Sequence, residues 1–463
     1  MPYNKVTLED VQKFRQICDS QRVLWKEAIS PDYSHDELSL EQNPPEVVVL
    51  PNSTQEVSQI LAYCSKRNIP VTPRGAGTGL CGGAVPLYGG VVLVTTEMNR
   101  ILEIDQENLM AVVEPGVLLL ELQNTVEELG LFYPPDPGEK TATIGGNVST
   151  NAGGMRAIKY GVTRDFVLGL EAVLPDGRII ETGGKVYKNS SGYSLTDLLI
   201  GAEGTLAVIT KIILRLLPKP SRQLSLVVPF DGLSPAVAAV PKILSAGEIP
   251  SALEFFQREV LEAAEKYLGR SFPHGEAPAY LMLTFWGTDA VELEKTYERV
   301  ARVCLDNGAH DVLIAHTADR QEALWENRGA FLEALKGMGE LDEVDVVVPP
   351  NQVAAFIEFT EELRVEYQLP ILSFGHAGDG NLHIYLLRDK MEREAWLALT
   401  QQAMKEIYAH AKELQGLVSG EHGIGFAKKP YLEQALSPAV LELMRAIKLV
   451  FDPNQLMNPG KVC

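Results

Sequence analysis

Two glycine-rich stretches, each set among short β-branched runs, constrain this chain more than any other feature. VVVLP, beginning at Val47, reads as a short buried strand. STQEVSQILAYCSKRN follows, with Ser53 as N-cap and Val57, Ile60, Leu61 and Cys64 at helical spacing. IPVTP is a second strand, and it runs straight into RGAGTGLCGGAVP. The strands VVLVTT, ILEID and AVVEPG come next, then a helix, LLELQNTVEELG, ending at Gly130. The second stretch, PPDPGEKTATIGGNVSTNAGGMRAIKYG, spans 134–161 and reads as a loop. VLGLEAVLPDGRII is a hairpin signalled by Pro-Asp-Gly. GAEGTLAVITKIILRLLPKP adds a glycine turn and a strand.

Gly75, Gly77, Gly79, Gly82 and Gly83 expose backbone N–H groups of the kind that form an anion-binding nest. The first stretch lacks the Rossmann spacing and the Lys-Ser/Thr of a triphosphate loop. Two such loops in one domain suggest a large diphosphate-containing cofactor laid between them, its charge met by backbone amides. That suits a chain of net charge −20, which argues against nucleic-acid or anionic-membrane binding.

A length of 463 residues implies two or three domains. The reading is residues 1–40 as an amphipathic helix and acidic, Ser-rich loop, 41–220 as a cofactor domain, 221–415 as a substrate domain and 416–463 as a returning C-terminal segment. The middle region alternates strands and helices in an α+β pattern with an antiparallel sheet as its core. Cys18, Cys64, Cys81, Cys304 and Cys463 are scattered with no Cys-x-x-Cys, so neither a disulfide framework nor an iron–sulfur cluster is expected. The N-terminus is charged throughout, unlike a signal peptide, and no apolar run approaches a membrane span. A cytoplasmic protein is expected, and not an integral membrane one.

Two short motifs hold the chemistry. FGHAGDGNLH carries His376 and His383, and SGEHGIG carries Glu421 and His422. Gly378-Asp379-Gly380-Asn381 reads as a tight turn, with His376 before it and His383 on the following strand. Two imidazoles and a carboxylate make a three-ligand site for a divalent metal with positions left open. A spare histidine beside it suits a substrate that must lose a proton.

PRGAGTGLCGG, PPDPGEKTATIGGNVSTNAGG, GAEGTLAVIT, FGHAGDGNLH, SGEHGIG and FDPNQLMNPGK occur in that order. Together they resemble the FAD-linked oxidases of the vanillyl-alcohol oxidase type, within them the FAD-dependent D-2-hydroxyacid dehydrogenases. The resemblance runs from about Pro45 to Gly460 and implies a two-subdomain FAD-binding domain plus an α+β cap. It implies that Arg74 to Gly83, including Gly75, Gly77, Thr78, Gly79 and Leu80, hold the FAD pyrophosphate. Asp136, Thr143, Gly145, Gly146, Asn147, Thr150, Asn151, Gly153, Gly154 and Tyr160 would line the rest of the cofactor site. Glu203 and Ile209 would fall on the adenosine side, and Asn458 would return to the flavin from the C-terminus. The first loop has no histidine, so non-covalent FAD is expected. The same resemblance makes His376, His383 and Glu421 the ligands of a divalent metal (Zn, Fe or Mn), His422 the base and Arg328, in LWENR, the binder of the substrate carboxylate.

One departure bears on substrate. Relatives acting on dicarboxylates resemble KYDVSVP where this chain reads EVDVVVP, with Glu343 in the lysine's place. A carboxylate there repels a second substrate carboxylate, so lactate or glycolate is favoured over 2-hydroxyglutarate. The implied reaction is oxidation of a D-2-hydroxyacid to the 2-oxoacid. Electrons would leave to an external acceptor such as an electron-transfer flavoprotein, an iron–sulfur subunit or a quinone-linked chain. A non-redox enzyme of the alkyl-glycerone-phosphate synthase type and a non-catalytic FAD-binding electron-transfer subunit stay open as alternatives.

Overall fold

Val57, Ile60, Leu61 and Cys64 are buried along one side of the helix Thr54–Arg67, and Ser53 caps it by accepting from the Glu56 N–H. The computed structural model containing this helix describes residues 3–38, 43–247, 249–272, 275–315 and 317–463. The chain divides into two units. The first comprises Met1–Gly153, Val162–Lys219 and Glu421–Cys463, and the second Gly154–Gly161 and Pro220–Gly420. The expected boundary at 40–41 falls outside the described residues, as does His316 at the end of the strand read from DVLIAHT.

In the first unit, β1 (Val23–Trp25) runs antiparallel to β2 (Val47–Val49), while β2, β3 (Val71–Arg74) and β4 (Val91–Val94) are parallel, in the order β1-β2-β4-β3. The helix Thr54–Arg67 is the crossover from β2 to β3. β5 (Ile101–Asp105), β6 (Met110–Val113), β8 (Val167–Val173), β9 (Ile179–Gly183) and β10 (Val208–Arg215) form an antiparallel sheet ordered β5-β6-β10-β8-β9. The short β7 (Leu131–Phe132) pairs with β11 (Leu217–Pro218). The crossover helix joins the two larger sheets. Its Thr54 hydroxyl donates to Glu171 at 2.7 Å and its Ser58 hydroxyl to the Gly177 carbonyl at 2.6 Å. Val173 and Val208 share its apolar core with Val47, Val49, Val91 and Leu93.

In the second unit, β12 (Arg222–Phe230), β13 (Ala252–Gln257), β14 (Ala279–Gly287), β15 (Leu313–Ala315), β16 (Leu341–Val347), β17 (Ile371–His376) and β18 (Asn381–Leu387) form one antiparallel sheet. Its order is β15-β12-β14-β13-β17-β18-β16. The antiparallel core expected of this region is therefore present. Residues directly opposite in neighbouring strands share a face. One face carries Val227, Met282, Tyr280, Phe256, Phe374 and Tyr385, packed on Val260, Leu261 and Ala264 of the helix Arg258–Leu268 and on Phe331 and Leu335. The polar residues described below lie on that same face.

Two local readings differ. The second glycine stretch is not loop throughout, because Ile144–Thr150 is helical. Gly145, Gly146 and three β-branched residues, Val148, Thr150 and Ile144, give it poor intrinsic propensity. Packing overrides this: the Gly145 N–H donates to the Pro115 carbonyl at 2.8 Å, where a Cβ would not fit, and Thr143 caps the Gly146 N–H. The second difference is the crossing back to the first unit, which comes after Gly420 instead of at 415–416. Leu417 bridges to Val347, and the Ser419 hydroxyl and Gly420 N–H both donate to Asp345, so these residues belong with β16.

Candidate functional site

The hairpin β17–β18 places the histidines of the first motif. Residues 377–380 form the turn, His376 lies opposite Asn381, and His383 lies opposite Phe374. Gly380 has φ +81°, and a Cβ there would collide with the Val348 carbonyl, so the turn requires glycine. The two imidazoles stand edge to face with ring centroids 5.4 Å apart, and both side chains are buried.

The strands on either side supply carboxylates. Glu254 on β13 lies directly across the ladder from His376, fully buried, and its Oε1 is 2.7 Å from His376 Nδ1. Its Oε2 accepts from Arg328 Nε at 2.8 Å and is ion-paired with Nη2 at 2.6 Å. Burial pushes the Glu254 carboxyl up, but His376 and Arg328 facing it bring it below the usual carboxylate range. Arg328, on the helix Ala318–Gly329, lies over the Phe374 ring with Cζ 4.7 Å from its centroid. Its Nε–Nη2 edge is committed to Glu254, which leaves the Nη1 side uncommitted among the described residues. On β16, Asp345 lies opposite His383 and accepts from Asn381 Nδ2 at 2.7 Å, the Ser419 hydroxyl at 2.7 Å and the Gly420 N–H at 3.1 Å. Glu343 is on the same face, accepts from the Tyr385 hydroxyl at 3.0 Å, and is 3.5 Å from His383 Nδ1. Tyr160 and Gly154, expected near the cofactor, belong to this unit, and Tyr160 lies against Trp286 with centroids 6.5 Å apart.

In the first unit, three motif segments meet. Gly75 of the first loop approaches Thr143 so closely that a Cβ would strike its hydroxyl. A Cβ on Gly153 would stand 2.7 Å from Glu421 Oε2. The Phe426 N–H donates to the Cys81 carbonyl at 3.1 Å, and Cys81 Sγ donates to the Gly423 carbonyl at 3.3 Å. His422 Nε2 is 3.7 Å from Glu421 Oε1. Among the described residues, no backbone N–H from Gly75 to Leu80, Thr78 and Gly79 included, donates to a protein acceptor. A run of six unengaged amides with the Arg74 guanidinium folded beneath Gly77 fits a bound diphosphate. Burial lowers the Arg74 pKa, opposed by Asp36, Tyr33 and other acidic neighbours. Among the described residues, the buried Asn147 Nδ2 and Tyr133 hydroxyl likewise have no protein partner.

The other expected cofactor residues are arranged around these. Asp136 pairs with Lys140, Thr150 Oγ1 donates to the Gly146 carbonyl, and Asn151 Oδ1 accepts from the Arg164 N–H. Ile209 is buried on β10. Glu203 and Asn458 bind protein groups. The Glu203 carboxylate accepts from Ile424 N at 2.7 Å and Gly425 N at 2.8 Å. Asn458 Nδ2 donates to the carbonyls of Gly83 and Glu203, and its Oδ1 accepts from Lys461 Nζ. Burial takes the Lys461 pKa down to about 7, against the pull of Asp36 and Glu203. Through Glu203, these side chains tie Ile424 and Gly425 to the end of the first loop at Gly83.

Glu254 and Asp345 were missed from sequence. For Glu254 the signal available was a lone carboxylate in the strand ALEFFQ; Asp345, in EVDVVVP beside Glu343, carried no such mark, because its strand holds three carboxylates. A buried charge must be paired to be tolerated there.

A family model described as the FAD binding domain matches residues 45–183, and the C-terminal domain of FAD linked oxidases matches residues 219–462. The chain is 47% identical over 468 aligned residues to a D-lactate dehydrogenase of Anaerostipes hadrus, covering 100% of this chain and 98% of the relative. It is 42% identical to the glycolate oxidase subunit GlcD of Bacillus subtilis, covering 93% and 91%. Among solved structures, p-cresol methylhydroxylase with substrate bound matches with a TM-score of 0.80 at 19% identity, over 98% of this chain and 97% of that one, a likeness of fold.

Proposed function

This chain belongs to the FAD-linked oxidases, and from that premise we propose that it oxidises a D-2-hydroxy monocarboxylate, D-lactate or glycolate, to the 2-oxoacid. The observation that carries the reading is Arg328 and His376 bound to one buried carboxylate, beside His383, on one face of the second unit's sheet. The names of the relatives, D-lactate dehydrogenase and glycolate oxidase subunit, support the same substrate class.

Net oxidation removes a proton from the α-hydroxyl and a hydride from Cα. Bound FAD supplies the two-electron acceptor. The uncommitted Nη1 side of Arg328 is suited to donate to the substrate carboxylate and set its orientation. His376 and His383 are the imidazole pair for a divalent cation, whose chemistry is to acidify a bound hydroxyl. The SGEHGIG motif supplies Glu421 as the third ligand in this proposal. His422 takes the hydroxyl proton. Glu343, close to His383, disfavours a second substrate carboxylate, which favours a monocarboxylate. FAD is held without a covalent bond, and electrons pass to an external acceptor such as an electron-transfer flavoprotein or an iron–sulfur subunit. No described helix is long and apolar enough to cross a membrane.

The test is anaerobic absorbance of the purified protein as D-lactate, glycolate, L-lactate and D-2-hydroxyglutarate are added in turn, with and without Zn²⁺ or Mn²⁺. Bleaching of the flavin by D-lactate or glycolate is expected. A flavin that none of the acids bleaches overturns the dehydrogenase reading.

A further inference from the structure

We propose that Glu254 is a positioning residue that sets both the substrate-carboxylate arginine and a metal-ligating histidine with one carboxylate. The inference rests on the reading above and extends it to a residue that no motif contains. Glu254 sits in ALEFFQ, a strand whose every side chain is buried. A carboxylate in such a strand carries a desolvation cost that only charged or donating partners offset. It has two, and they are divided between its oxygens. Oε1 faces His376 Nδ1 at 2.7 Å, and Oε2 accepts from Nε of Arg328 and is ion-paired with its Nη2.

The chemistry of the partners explains why the residue is a glutamate. Arg328 can only donate. His376 must donate from Nδ1 if Nε2 is to keep the lone pair that binds a metal. An anion with two acceptor oxygens satisfies both at once. Glutamine has one acceptor and one donor, so it fails one of them in either amide orientation. A single buried group thereby fixes the histidine's tautomer and turns the arginine so that its Nη1 side stays uncommitted. The register makes this possible: Glu254 and His376 are directly opposed in the β13–β17 ladder, and Arg328 reaches the same point from a helix.

The test uses the full-length flavoprotein and E254Q. Metal-stripped protein is titrated with Zn²⁺ by calorimetry, and KM and kcat for the hydroxyacid are measured at saturating metal. Weakening of Zn²⁺ binding by about 10- to 100-fold is expected, together with a raised KM, while FAD content and the flavin spectrum stay those of wild type. Wild-type Zn²⁺ affinity and KM in E254Q overturn the proposal. A second measurement needs no variant. Long-range ¹H–¹⁵N spectra of wild-type protein labelled at histidine should show a proton on His376 Nδ1, both as purified and with Zn²⁺ added. Absence of that proton overturns the proposal even if E254Q does not fold. The broader reading fails separately: there, wild-type protein does not bleach with any D-2-hydroxyacid, whatever the state of His376.

Discussion

His422 and Glu343 separate the chemistry of the reaction from the choice of substrate. His422→Ala is expected to slow flavin reduction by about 10²–10⁴-fold, the usual scale for a general base, with FAD still bound. Stopped-flow absorbance measures it, and near-wild-type reduction would remove the base assignment. Glu343 sits beside His383 and Tyr385 on β16. Glu343→Lys should raise the kcat/KM ratio of D-2-hydroxyglutarate to D-lactate by roughly tenfold, the factor given by ~1.4 kcal/mol. An unchanged ratio means that Glu343 does not face the distal end of the substrate. Both residues could be picked out in the sequence, since each lies in or beside a recognisable motif. The roles of Glu254 and Asp345 could not be read there, because their partners are distant in the chain: Arg328 follows Glu254 by 74 residues, and Asp345 meets Ser419 only through folding.

At the scale of elements, the β17–β18 hairpin holds both histidines in register. Gly380→Ala would force a Cβ into the Val348 carbonyl at φ +81°. A destabilisation of about 1–3 kcal/mol is expected, read as a lowered midpoint in thermal unfolding together with weakened Zn²⁺ binding. An unaltered midpoint would show that the turn relaxes freely. The hairpin was legible because Gly-Asp-Gly-Asn is strong turn chemistry between alternating residues. The helix Ile144–Thr150 was not, since its glycines weaken local propensity and its existence depends on contacts with Pro115 and Thr143. The three-residue β1 is too short to show a period and exists because β2 is there to pair with it.

For the whole molecule, acid stability depends on carboxylates held charged by tertiary partners. Asp10 is an example. Burial alone would raise its pKa, but bonds from Arg67, Thr7 and Tyr63 bring it well below the usual range. A folded-state pKa below the unfolded value means stability that is fully present above about pH 4 and lost as pH falls further. Asp10→Asn should therefore be less stable than wild type near neutral pH in denaturant unfolding, with the gap narrowing as pH drops below about 4. A gap that is constant with pH would show that the charge of Asp10 is not what stabilises its anchor.

By itself, the sequence determined what depends on local pattern: the strand–helix alternation, the glycine loops with their free amides, the histidine turn and the family likeness carried by six ordered motifs. Only the tertiary structure decided what depends on distant partners. It folded the short segment Gly154–Gly161 in with the second unit and carried that unit on to Gly420. It committed Glu203 and Asn458 to the protein's own loops. It also put Glu254 between Arg328 and His376. The reason is physical. Turn and strand preferences act over a few residues, whereas a buried carboxylate is tolerated only where the completed fold brings its donors to it.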